Sequence, residues 1–252
     1  MFKNLLAKVG IGSASIDLIL NRSAVRMGEV IEGRFHIKGG TVEQEINGIQ
    51  VDLHVVSHYR KNDNLQQVDF VVNSVQLEYK KIISPEQVCI FDFQFRIPEI
   101  IPISCVNTKF YFKTNLDIES ALDQKDKDYV EILPSGMYKT FLDGLNQLGC
   151  HIQTDYYDGR TQTLRLIATH WMAGKLDELE FKIDISSITQ SIHGTCEIDK
   201  KTRGLLGAIT DVLDLDEYEG RFYFGENTLQ NGGHAAYAIQ QFIEEKYRRL
   251  LG

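Results

Sequence analysis

Period-two alternation constrains this chain more than any other feature. From Cys89 to Ile97, five apolar positions (Cys89, Phe91, Phe93, Phe95, Ile97) fall on one side of an extended chain. Ile90, Asp92, Gln94 and Arg96 fall on the other. Such sorting marks a strand with one buried and one wet face. Ile31, Gly33, Phe35 and Ile37 alternate in the same way with Glu32, Arg34, His36 and Lys38. So do Ile49, Val51, Leu53 and Val55 with Gln50, Asp52 and His54. Between these two runs lie a Gly39-Gly40 break and an Asn47-Gly48 turn signal, so the two strands are expected to pair near the middle of a β-sandwich.

Further short strands surround this centre. Ile16, Leu18 and Leu20 alternate, as do Phe110 and Phe112. Val68, Phe70 and Val72 alternate on even numbers, whereas Val75, Leu77 and Tyr79 alternate on odd ones. The phase changes at Asn73-Ser74, which predicts a turn or a bulge. Pro98 and Pro102 stop the Phe-rich strand because proline lacks a ladder donor. About seven short strands without an intervening helix predict a first sandwich over residues 1–126. The polar run 123–128 marks its expected end. Ser135 is a candidate N-cap for a helix carrying Met137, Phe141, Leu145 and Leu148, with Gly149 placed to end it. Strands resume at 152–156, 164–168, 179–185, 188–198 and 222–224, with a short helix at 205–213. Residues 127–225 are therefore expected to form a second β-sandwich with helical additions, and 226–252 a hinge and C-terminal helix. The expected class is mainly β: two β-sandwich domains with a few short helices.

Composition excludes several functions. A net charge of −8 over 252 residues, most of the excess acid lying after residue 126, argues against a general nucleic-acid binder. No apolar run reaches the roughly 18 residues of a membrane span. The first nine residues are too short and too charged for a signal peptide, and Cys89, Cys105, Cys150 and Cys196 form no Cys-x-x-Cys pair. A reducing, cytoplasmic setting without a disulfide framework is expected, with Cys89 a buried free thiol.

Candidate chemistry is sparse. Gly10-Ile-Gly12-Ser-Ala-Ser15 lacks the third glycine and the following helix of a dinucleotide loop. His54 and His58 have a spacing that would grip zinc on a helix, but on a strand they lie roughly 13 Å apart. They read as exposed strand histidines. Asp211, Asp214, Asp216, Glu217 and Glu219 fail the calcium-loop pattern, which needs glycine at its sixth place. His193 and Cys196 are near enough in sequence to suggest a nucleophile and its base. They carry the alternative reading of a small-ligand or metal-binding enzyme. No catalytic, cofactor or metal residue is otherwise assigned, and no cofactor is expected.

Apolar residues at helical spacing mark the two ends. Phe2, Leu5, Leu6 and Val9 suggest a short helix, packed on its own domain or serving as a sticky arm. After Gly232-Gly233, Ala235, Ile239, Phe242, Ile243 and Leu250 share one stripe with Tyr247 at its rim. Such a helix must bury its stripe. It docks either on its own domain or, through the Gly-Gly hinge, on another subunit or a client. Ile239, Phe242, Tyr247 and Leu250 are the candidate partner-binding residues.

Phe91-Asp-Phe-Gln-Phe-Arg-Ile-Pro98 through Pro102-Ile-Ser104, followed by Phe110 to Ile118, resembles the central strands of arrestin-like sandwiches. His36-Ile-Lys-Gly-Gly-Thr-Val-Glu-Gln44, Asn146-Gln-Leu-Gly149, Gly174-Lys-Leu-Asp-Glu-Leu-Glu180, Arg203-Gly204 and Leu215-Asp-Glu217 resemble, in order, the bacterial sporulation-control proteins of the stage-zero M type. The resemblance implies two arrestin-like domains, a cytoplasmic location and a regulatory role in sporulation. It brings no catalytic residues. The expected function is a non-enzymatic regulator or scaffold working through protein–protein contacts, with an unidentified protein partner and possible self-association.

Overall fold

The computed structural model describes residues 13–61, 64–118, 124–201 and 217–250. The helices expected at 2–9 and 205–213, the Gly10–Gly12 loop and residues 211–216 of the acidic cluster lie outside the described residues. The described chain is mainly β. Its first elements are Ser15–Leu20 (β1), Ala24–Arg26 (β2), Val30–Lys38 (β3), Gln44–Lys61 (β4), Asn64–Ile83 (β5), Val88–Arg96 (β6), Thr108–Ile118 (β7) and Gln124–Leu133 (β8). Then come Gly136–Gln147 (α1), Cys150–Tyr157 (β9), Thr161–Ala168 (β10), Leu176–Asp184 (β11), Ser191–Lys200 (β12), Glu217–Gly225 (β13) and Gly232–Arg249 (α2).

The chain divides into two compact units. Of the described residues, one holds those up to Val56, Asp69–Pro98 and Lys109–Leu133; the other holds Ser57–Val68, Glu99–Thr108 and those from Pro134 onward. The first unit has a three-stranded sheet, β1-β3-β6, and a five-stranded sheet, β2-β8-β7-β4-β5. Phe93 of β6 meets Phe35 of β3 at 4.9 Å and Phe112 of β7 at 5.8 Å, so aromatic rings bridge the two sheets. Ile49, Val51, Leu53 and Val55 line the same core with no exposed surface.

Several expectations change here. The strands around Gly39-Gly40 do not pair, because β3 and β4 belong to different sheets. Gly39 turns the chain from one layer to the other: a Cβ there would lie 2.1 Å from the Ser84 carbonyl oxygen, so the β3–β4 corner needs its bare backbone. Asn47-Gly48 lies inside β4 and makes no turn. The polar run at 123–128, read as a domain boundary, is largely strand β8, whose Tyr111↔Tyr129 and Lys113↔Lys127 pairs with β7 hold it in the sheet. The phase change at Asn73-Ser74 is no turn either, since β5 runs through it. Asp69 meets His54 and Ser74 bonds Asp52, and both of these partners lie on the non-core face of β4. An odd and an even position of β5 thus share one face, as a bulge produces.

The second unit contains an antiparallel meander in the order β13-β12-β11-β10-β9. Its apolar face carries Phe181, Phe222 and Phe224, all within 6.3 Å of Phe141 on α1. Ser135 is extended at the start of α1 but its side chain makes no capping bond. Gly149 follows with φ +73°, the left-handed conformation that ends a helix most cheaply on glycine. The two helices press closely because Gly144 has no side chain: a Cβ there would meet Ala235 Cβ at 2.7 Å.

Candidate functional site

The polar face of the β9–β13 sheet carries an open groove of about 1020 Å3. Strand register places its side chains in rows. One row runs Arg165, Glu180, Glu197, Glu219 across β10 to β13. The next runs Thr163, Lys182, Thr195, Arg221. An acidic row therefore lies beside a basic one. Arg165 Nε holds Glu180 at 2.7 Å, leaving Glu197 crowded by carboxylates. Burial, then the charges of Glu180, Glu217 and Glu178, raise the Glu197 pKa above the usual carboxylate range. At the groove's end the Asp158 side chain accepts from the backbone N–H groups of Arg160 and Thr161. Such a surface suits an extended polar chain bearing both charges. Reading each strand only for its apolar side missed these rows, although Glu178, Glu180, Lys182 and Asp184 alternate plainly in the sequence.

His193 and Cys196 both border the groove, but their side chains do not meet. Three residues apart on β12, they point to opposite faces: His193 stacks on Tyr223 at 6.1 Å, while Cys196 is 1% exposed on the apolar side. The His193 ring is held by Ser191 and Ser187, at 2.9 and 3.1 Å from Nδ1. Burial, reinforced by Glu197 and Glu180, pushes the Cys196 thiol well above its usual range. The nucleophilic form is the thiolate, which this burial disfavours.

Two further clusters lie in the first unit. His54, expected to be exposed, is 9% exposed and stacks on Tyr111 at 4.7 Å. Its Nδ1 lies 3.0 Å from Asp69, which also accepts the Tyr111 hydroxyl. Burial and the Asp69 charge push the Tyr111 pKa up to about 12. Asp17, Asp126 and Asp128 bring carboxylate oxygens within 4.8 Å of one another. Asp126 accepts the Leu18 N–H at 3.0 Å. Burial, then Asp126 and Asp17, raise the Asp128 pKa to about 7. Between its ordinary value of 3.8 and about 7, the folded chain keeps a proton that the unfolded chain has lost. Stability therefore falls as pH rises through this window and stays lowered above it. Asp128→Asn should flatten the decline in Tm between pH 5 and pH 8; parallel wild-type and variant curves would refute the assignment.

Helix α2 packs within its own unit. Ala235, Ala236, Ile239 and Ile243 are buried. Gly232 and Gly233 form its first turn and not a hinge, behind Asn231, whose side chain accepts the His234 N–H at 3.0 Å. At the other end Lys200 Nζ donates to the Leu250 carbonyl at 3.1 Å. Of the four candidate partner residues, Ile239 is committed to the core, while Phe242, Tyr247 and Leu250 are half-buried. Phe242 meets Phe224 edge-on at 5.8 Å. Asn231→Ala should cost about 1 kcal/mol in a denaturant titration and Asn231→Gly only a few tenths. Equal losses would show that the cap does not matter.

Residues 2–202 match the family model described as SpoOM protein, Spo0M. The chain belongs to this family. It is 26% identical to the sporulation-control protein spo0M of Bacillus subtilis (strain 168), across 97% of this chain and 98% of that one. The crystal structure of Spo0M, sporulation control protein, from Bacillus subtilis superposes with a TM-score of 0.73 at 22% identity. That match covers 94% of this chain and all of the other, so the Spo0M fold extends through both units. No described helix is long and apolar enough to cross a membrane.

Proposed function

We propose that this Spo0M-family chain is a non-enzymatic, cytoplasmic regulator of sporulation that works through protein–protein contacts. The observation that carries this reading is the open groove of the second unit, with its acidic row beside a basic row. An active site needs convergent groups in an enclosed space. This groove instead offers a broad, charge-patterned sheet face, which suits a partner's polar segment. The half-buried Phe242, Tyr247 and Leu250 supply a second contact region on α2. The name of the Bacillus subtilis relative supports sporulation as the process.

Deletion in the native host tests the reading. Sporulation frequency should change and be restored by the wild-type gene. Cys196→Ser should restore it equally, whereas Glu197→Lys with Glu219→Lys should not, despite an unaltered melting curve. Normal sporulation in the deletion strain would overturn the process assignment. Failure of Cys196→Ser to complement, with its fold intact, would favour the enzyme reading.

A further inference from the structure

Strand β5 is the terminal strand of its sheet, and its outer side has no ladder partner among the described residues. It runs for 20 residues, against about 5–6 for an ordinary strand. Proteins usually blunt such edges with proline, charge or shortness. β5 contains no proline, and its charged residues are Asp69, Glu78, Lys80 and Lys81. Leu65, Val71 and Ile82 are 69%, 44% and 59% exposed along it.

We propose that two copies of the chain join edge to edge through β5, antiparallel, about a two-fold axis between Asn73 and Ser74. The argument is self-complementarity. Reading outwards from that point, Val72 opposes Val75, Phe70 opposes Leu77, Val68 opposes Tyr79 and Leu65 opposes Ile82 of the second copy. Gln67 and Gln66 oppose Lys80 and Lys81. In a regular strand each of these pairs would face opposite sides, because a one-residue change of phase flips every side chain. The bulge at Asn73-Ser74 supplies that change, as the placement of Asp69 and Ser74 on one face shows. The irregularity that spoils β5 as a simple strand is what makes it match itself. A homodimer through a shared patch is the commonest symmetric assembly. One pair is unfavourable: Asp69 opposes Glu78.

That unfavourable pair provides the test. Val71 and Gln76 are exposed and oppose each other beside it. Sedimentation of the full chain at micromolar concentration should give twice 28.8 kDa. Val71→Glu with Gln76→Glu adds like-charged pairs next to Asp69 and Glu78, so the dissociation constant should rise about tenfold or more. Val71→Glu with Gln76→Lys sets opposite charges face to face across the pair and should leave the dimer intact. A monomeric wild type overturns the proposal, and so does equal loss from both double variants. Register can be checked separately in a Cys105→Ser background. A short bis-maleimide should link Val71→Cys chains to Gln76→Cys chains when mixed and neither variant to itself. Linking within either variant alone would contradict the register and overturn the proposed axis.

Discussion

Phe93→Ala is expected to lower unfolding stability by about 3–5 kcal/mol, the usual loss for a buried aromatic. Phe93 is 2% exposed and touches rings on both layers of the first unit: Phe35 beside it, Phe95 on its own strand and Phe112 across the core. The cavity left by alanine would open between the sheets, where strands on both sides limit collapse. Ile90→Ala is the matched control. Ile90 lies on the other face of β6 and is 55% exposed, so its loss should stay within about 0.5 kcal/mol. Chemical denaturation of the full chain reads both. A loss below about 1 kcal/mol for Phe93→Ala would mean that the two sheets do not meet through this ring.

The contrast between Phe93 and Ile90 also shows what the sequence could reveal. Alternation reports which face of a strand is apolar, and it identified the core positions of β3, β4, β6 and β7. It carries no information on which strands are neighbours. Thus β3 and β4, adjacent in sequence and matched in pattern, were expected to pair and instead occupy opposite layers, turned by Gly39. Polar residues misled in a similar way. The run Asp123 to Asp128 looks like a linker, yet from Gln124 onward it belongs to β8, with Asp128 half-buried beside Asp126. His54 looked exposed because its partners, Asp69 and Tyr111, come from strands 15 and 57 residues away. The groove's rows were hidden for the same reason: Glu180, Glu197 and Glu219 become neighbours only through register. Domain limits were the least legible feature. The chain passes between the units at Val56/Ser57, Val68/Asp69, Pro98/Glu99, Thr108/Lys109 and Leu133/Pro134. A single boundary near 126 cannot describe that exchange, and a fragment ending there would separate Glu99–Thr108 from its partners in the second unit.

Those partners define the other large effect. Gln162 is fully buried on β10, where an apolar strand residue would be expected. Its side-chain oxygen accepts from the Ile103 N–H at 2.9 Å and the Tyr138 hydroxyl at 3.0 Å. Its amide nitrogen donates to the Ile103 carbonyl at 3.0 Å and to Asp155 at 3.2 Å. Asp155, itself 1% exposed, accepts the Asn107 N–H at 2.6 Å. The two side chains replace a strand partner for the Glu99–Thr108 segment, which has no ladder of its own at Ile103. Gln162→Leu keeps the volume but strands both backbone groups of Ile103 and the Tyr138 hydroxyl. Each buried unpaired group costs about 1–3 kcal/mol, so stranding these three should cost about 3–9 kcal/mol in all. Tyr138→Phe removes one bond and its donor together and should cost only about 1 kcal/mol. The order is what denaturant titration must reproduce, with faster amide exchange at Ile103 in Gln162→Leu alone. Equal effects of the two variants, or unchanged exchange at Ile103, would show that Gln162 does not pin this segment.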